Sequence, residues 1–223
     1  MDYDFQFNVI WQNLDLFLWG AWLTIQIAML ATALGLVIGM VMAGLQSLRN
    51  PLISGAIQFY IEVIRNTPFL VQLFFVYFGL PSLDIKVPAS QAALLALTIN
   101  IGAYATEIVR AGVESISKGQ IEAGRSLGLS GFQIFTFVIL KPALMTVYPA
   151  LTSQFILIML NSAVISTISA QELAFQAKFL QSRTFRSFEI YLFVTLVYLL
   201  LAYLFRAVFS LIARLAFGKV PAN

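Results

Sequence analysis

Glu122 and Arg125 stand three residues apart in the most polar stretch of the chain, Gln120-Ile121-Glu122-Ala123-Gly124-Arg125-Ser126-Leu127-Gly128-Leu129-Ser130-Gly131, which lies between two apolar blocks. An acid and a base at i, i+3 share one helical face. Gln120 to Leu127 therefore reads as a short helix in water, projecting from the bilayer with a carboxylate and a guanidinium on its surface. Gly128 is expected to end it, because glycine takes the left-handed conformation at low steric cost. Leu129-Ser130-Gly131 then starts a second short helix. The chain has no cysteine and no histidine, which removes disulfides, thiol nucleophiles and the commonest metal ligand together. It also carries no G-x-x-x-x-G-K-[ST] loop and no H-E-x-x-H motif, so any phosphate chemistry falls to another polypeptide.

Three further polar sets sit inside apolar runs. Glu62, Arg65 and Asn66 are three and four residues apart, on one helical face, with Pro68 just beyond. A charge at membrane depth costs about 2.5 to 3.5 kcal/mol unless it is paired or wetted. Glu62 and Arg65 are therefore expected either to pair with each other or to line a polar path, and Pro68 to kink the helix. Asn100, Tyr104 and Glu107 fall at i, i+4, i+7, a second single face that points away from lipid. Glu107 and Arg110 form an i, i+3 pair able to snorkel at a span end. Gln154 and Asn161, seven apart with Ser153, Ser162, Ser166 and Thr167 nearby, are either packing glue or pathway lining.

The elements that must position these groups are membrane helices. The 223 residues are 60% hydrophobic and only 10% charged, with a mean hydropathy of +0.89, too few charges to cover a soluble globule of this length. The net charge of +3 is scattered, without the basic stripe of a nucleic-acid binder. Leu16 to Leu48 is uncharged; as a helix it is roughly 50 Å long against a hydrocarbon core of about 30 Å. Gly35, Gly39 and Gly44 suggest close helix contacts along it. Further spans are expected at about Leu52–Leu80, Ala89–Ile108, Pro142–Gln171 and Phe188–Ala213, with Lys141-Pro142 opening the fourth. Hydroxyl and β-branched residues in Asn161–Leu173 argue against a regular helix there. Ala174–Phe188 reads as an outer connection.

The N-terminal segment carries Asp2, Asp4 and Asp15 and no basic residue, whereas Arg49, Arg110, Lys118, Arg125 and Lys141 share the other side. By the positive-inside rule the N-terminus faces out, and five spans put the C-terminus inside. Lys178, Arg183 and Arg186 run against that rule. The expected organisation is an extracytoplasmic segment 1–15, a transmembrane domain 16–214 with its polar loop at about 112–141, and a tail 215–223.

The polar stretch resembles the signature loop of type I ABC importer permeases: E-A-A, three residues, G, nine residues, I, two residues, L-P. Glu122, Ala123, Gly128 and Pro142 match, with Gly124, Val138 and Lys141 replacing the second alanine, the isoleucine and the leucine. Two more segments, Arg65-Asn66-Thr67-Pro68-Phe69-Leu70-Val71-Gln72-Leu73-Phe74-Phe75 and Gly102-Ala103-Tyr104-Ala105-Thr106-Glu107-Ile108-Val109-Arg110, look like the polar amino-acid branch of that family. So does Asn161–Leu173, where the family often has a lysine before the asparagine; Leu160 stands there, so no charged substrate contact is carried over.

The resemblance, from about Trp19 to Leu211, implies an all-α polytopic permease that binds no cofactor of its own, ATP and Mg sitting on a partner ATPase. It implies a pair of ATP-binding subunits, a second permease subunit, identical or paralogous, a periplasmic amino-acid-binding protein, and a bacterial inner membrane. In that frame Gln120, Glu122, Ala123, Arg125 and Gly128 form the ATPase-coupling elbow, Gly128 setting the bend while Glu122 and Arg125 anchor the helix electrostatically. Asn100, Tyr104, Gln154, Asn161 and Ser162 are pathway candidates. The other reading is a membrane scaffold or channel-like subunit without an ATPase, its elbow a solvated loop.

Overall fold

The computed structural model describes residues 4–47 and 50–218. Asp2 and Arg49, which enter the charge argument for sidedness, and Leu48, the expected end of the first span, lie outside them. Among the described residues the chain is helical throughout, with no strand. A single turn, α1 (Asn8–Trp11), precedes α2 (Leu14–Gln46), then α3 (Pro51–Arg65), α4 (Phe69–Gly79) and α5 (Ala89–Glu114). The elbow consists of α6 (Lys118–Ser126) and α7 (Gly131–Gln133), and α7 runs on through a π-helical stretch, Ile134–Leu140, into α8 (Lys141–Asn161). A 3₁₀ run, Ser162–Ile168, leads to α9 (Leu173–Thr184) and α10 (Ser187–Phe217).

Four helices are long and apolar enough to cross a membrane, and the bent pair α3–α4 brings the number to five. The helix that contains the fourth crossing starts upstream of Lys141-Pro142, being continuous from Gly131 to Ile168. Proline removes an N–H donor, and the wider i→i+5 winding just upstream of Pro142 is one way a helix adjusts around such a loss. Ala174–Phe188 is likewise no plain connection: most of it is α9, whose buried face is Leu173, Gln176, Ala177 and Leu180.

The most buried crossing is α5, with 61% of its apolar window inside the protein against 11% for α10. It lies along α2 because two glycines remove the side chains between them. A Cβ on Gly35 would come within 2.6 Å of Ile101, and one on Gly39 within 2.6 Å of Ala105. In lipid such close packing, and not water exclusion, holds helices together. Gly44, expected to do the same, has nothing within 4 Å of its place for a Cβ. Leu73, Leu97, Ile101, Ile158 and Ile165 form the main core. A second cluster, Phe17, Leu173, Leu180, Ile190 and Val194, seats α9 on the first turns of α2 and α10.

Candidate functional site

Two places gather the residues singled out from the sequence: the elbow and the bend between α3 and α4. At the elbow, Ser117 caps α6 by accepting the Gln120 N–H at 3.4 Å. Gly128 adopts φ +73°, and the turn closes with Gly128 N–H donating to the Arg125 carbonyl at 2.9 Å and Leu129 N–H to that of Gly124 at 3.1 Å. Ser130 opens α7 with a capping box: the Gln133 N–H donates to its hydroxyl at 3.3 Å, and the Gln133 side chain accepts the Ser130 N–H at 2.8 Å.

Gln120, Glu122, Ala123, Arg125 and Gly128 are all exposed. Among the described residues no ion pair involves Glu122 or Arg125; within the chain the turn is held by backbone capping. The buried contact of α6 is Gly124, where a Cβ would lie 3.2 Å from Ile134. Sequence reasoning missed two apolar side chains that flank the turn: Leu127 and Phe132 are each 79% exposed. An apolar residue beside a charged pair in a water-exposed loop was the available signal.

At the bend, Arg65–Asn66–Thr67–Pro68 turns the chain by 107° between α3 and the helical segment that follows. Proline forces the residue before it out of the helical region, and the carbonyls freed at the end of α3 are met by side chains. Asn66 Nδ2 donates to the Glu62 carbonyl at 2.8 Å and Thr67 Oγ1 to that of Val63 at 2.7 Å. Gln72 Nε2 donates to the Ile64 carbonyl at 2.7 Å and to Thr67 Oγ1 at 2.8 Å. Its other end accepts from Asn100 Nδ2 at 2.9 Å. Gln72 thus ties the bend to α5, a role the sequence signalled only as one amide in an apolar run after proline.

The expected Glu62–Arg65 pair does not form. Arg65 reaches Glu107 on α5 at 3.2 Å and lies over the Tyr104 ring, 5.4 Å from its centroid. Glu62 accepts from Gln58 at 3.0 Å. Glu107 also holds Arg110 at 3.1 Å, as the spacing predicts, and Arg110 holds Glu114 at 2.8 Å. Gln58, Ile61, Glu62, Arg65, Asn66 and Tyr104 line a partly open polar cavity of about 330 Å³. Asn100 is buried one turn from Tyr104. Gln154 is half-buried and Asn161 exposed on α8, and neither lines this cavity. Ser162 is buried, its hydroxyl donating to the Met159 carbonyl at 2.7 Å.

The arrangement can hold a polar solute and a partner protein; around the cavity Glu62 accepts from Gln58 and Arg65 is paired with Glu107. Residues 35–217 match the model of the binding-protein-dependent transport system inner membrane component family. The chain belongs to this family. The permease is 34% identical to the probable glutamine ABC transporter permease protein GlnM of Bacillus subtilis over 87% of this chain and 90% of that one. It is 36% identical to the glutamine transport system permease protein GlnP of Escherichia coli over 88% and 91%. Its fold superposes on the crystal structure of an amino acid ABC transporter with histidines at TM-score 0.88, with 35% identity over 95% of this chain and 99% of the other. A likeness in fold alone extends to the MetNI methionine ABC transporter, at 22% identity and TM-score 0.75. The permease is thus a multi-pass membrane component of an ABC importer, and the three resembling segments of its sequence belong to the fold that superposes.

Proposed function

We propose that the permease is one half of the membrane path of an ATP-driven importer for a polar amino acid in the bacterial inner membrane, with glutamine the first substrate to test. The substrate class rests on the relatives named for glutamine transport and on a cavity that offers amide, carboxylate, guanidinium and phenol groups together. Asn100, Tyr104, Gln154, Asn161 and Ser162 are the pathway candidates, and Arg65 and Glu107 set the electrostatics beside them.

One observation carries the coupling role: an elbow whose backbone is closed by its own caps while Leu127, Phe132, Glu122 and Arg125 stay free at its tip. A cleft in an ATP-binding subunit would take the two apolar side chains, with the charges at its rim. ATP and Mg would sit in a pair of such subunits. Their closing and opening would bias this chain and a second permease subunit between outward and inward access, through contacts that differ between the two states. A binding protein outside delivers the amino acid. The N-terminus outside and the C-terminus inside fit this arrangement.

Purification of the tagged permease from its native membrane in mild detergent, followed by mass spectrometry and reconstituted uptake, tests the reading. Recovery of an ATP-binding subunit and ATP-dependent glutamine uptake are expected. Recovery of the chain alone, even after cross-linking, would overturn it.

A further inference from the structure

Glu172 is fully buried, and among the described residues no cation pairs with it. Four donors satisfy its carboxylate instead. Oε1 accepts the Phe175 N–H at 2.9 Å. Oε2 accepts the Ala174 N–H at 2.9 Å, the Tyr198 hydroxyl at 2.6 Å and the Thr24 hydroxyl at 3.3 Å. The first two bonds cap α9, a task that serine or aspartate performs with a shorter side chain. The other two reach α10 and α2. Thr24 works in both directions, because its oxygen also accepts the Leu173 N–H at 3.2 Å.

The first turn of α9 is pressed onto α2 besides: a Cβ on Gly20 would stand 2.8 Å from Gln176 and 2.9 Å from the Leu173 Cα. Immediately upstream the backbone is of another kind. The 3₁₀ run Ser162–Ile168 ends at Ser169, a non-glycine residue at φ 66°, and irregular or left-handed backbone of this sort marks hinges and strained functional segments. Ser162, at the head of that run, is buried, its hydroxyl donating to the Met159 carbonyl.

We infer that Glu172 is a positioning residue for transport: it locks α9 to α2 and α10 as one rigid body, so that the outer end of the permease flexes only at 162–169. The inference rests on the importer reading above. It needs no ligand at Glu172. Its content is that a bond network behind the path, touching no substrate, determines how much transport each ATP yields.

Glu172→Asp separates capping from clamping, since aspartate still caps α9 but falls a methylene short of Tyr198 and Thr24. Tyr198→Phe removes one clamp bond and leaves the cap intact. In proteoliposomes holding the whole complex, ATP hydrolysed per amino acid imported is expected to rise about tenfold in both variants, the factor one hydrogen bond to a charged group is worth in an equilibrium. Thr24→Ser, which keeps the hydroxyl, is expected to match the wild type. A wild-type ratio in Glu172→Asp and Tyr198→Phe would reduce Glu172 to a helix cap and overturn the inference.

A second measurement leaves the network intact. The chain has no cysteine, so spin labels can be placed at exposed Ser182 with exposed Leu192, and at Ser182 with exposed Leu157. Between nucleotide-free and ATP-bound complexes the 182–192 distance is expected to hold and the 182–157 distance to change. A shift in the first pair, or none in the second, overturns the rigid-body claim, including where the substituted chains fail to assemble. A wild-type complex that binds its ATPase but imports no glutamine would fail the substrate reading, and the distance pairs would still decide this one.

Discussion

At the elbow, α6 and α7 keep their shape through bonds that begin and end within a few residues: Ser117 to Gln120, Gly128 to Arg125, Ser130 to Gln133. At the junction around α9, one carboxylate gathers donors from residues 24, 174, 175 and 198. The elbow exposes its charges and apolar tips, whereas the junction leaves nothing of Glu172 in reach of solvent. The elbow is built from local geometry, which leaves its outer side chains free of bonds to the rest of the fold. A frame that must carry force between helices is built from long-range bonds, which leave none free.

Glu172→Ala should show the largest effect on this contrast, since it strands the Tyr198 and Thr24 hydroxyls and two N–H groups. Each buried donor without a partner costs about 1–3 kcal/mol, so the thermal midpoint of the purified complex should fall sharply. A midpoint equal to that of the wild type would place the junction among ordinary helix caps. Gly128→Val comes next. It puts a β-branched residue at φ +73°, a strain of about 1–2 kcal/mol, with open space around the new side chain. ATP-driven uptake should be lost while the spans stay folded, which uptake assays and detergent melting curves separate.

The third test is pH. Burial is the main force on Glu172 and raises its carboxyl above the ordinary value, against hydrogen bonds from Tyr198 and the backbone that lower it. A raised folded-state value means that its contribution to stability is fully present below the unfolded value of about 4.5 and declines as pH rises through the folded one. The melting midpoint of the wild type, measured against Glu172→Gln, should therefore gain as pH falls from 7 toward 5. A gap that stays constant, or widens the other way, contradicts the burial argument. The smallest effect belongs to Arg65→Gln, because the pair with Glu107 is half open to solvent and such pairs are worth less than about 1 kcal/mol. Stability should barely change, and uptake kinetics should report any role in the cavity.

The sequence made the local features legible. Gly128 stops a helix wherever the next residues can close the turn, Pro68 bends one whatever surrounds it, and uncharged runs of thirty residues have few places to be but lipid. What it hid depends on distance along the chain. Arg65 has Glu62 one turn away, yet it binds Glu107 because the bend carries its side chain across to α5. Gly35 and Gly39 pack while Gly44 does not, since only the first two lie where α5 crosses. Glu172 drew no notice in the sequence; its partners Thr24 and Tyr198 each stand on a different helix, far away along the chain. Helix α9 escaped notice because its buried face is two apolar residues, an alanine and a glutamine, too weak a period to read.

The wide winding of Ile134–Leu140 has a geometric consequence. α6 rests through Gly124 on Ile134 and Val138, so the elbow is seated on this very stretch. Each residue of an i→i+5 helix advances through a smaller angle than the 100° or so of an α-helix. The compass bearing of α8 relative to the elbow is therefore fixed by how these seven residues are wound. Gln154 and Asn161 point where they do because of a dial set about four and six turns before them, and tightening that dial to ordinary α winding would swing both around the helix axis without moving the elbow from its seat.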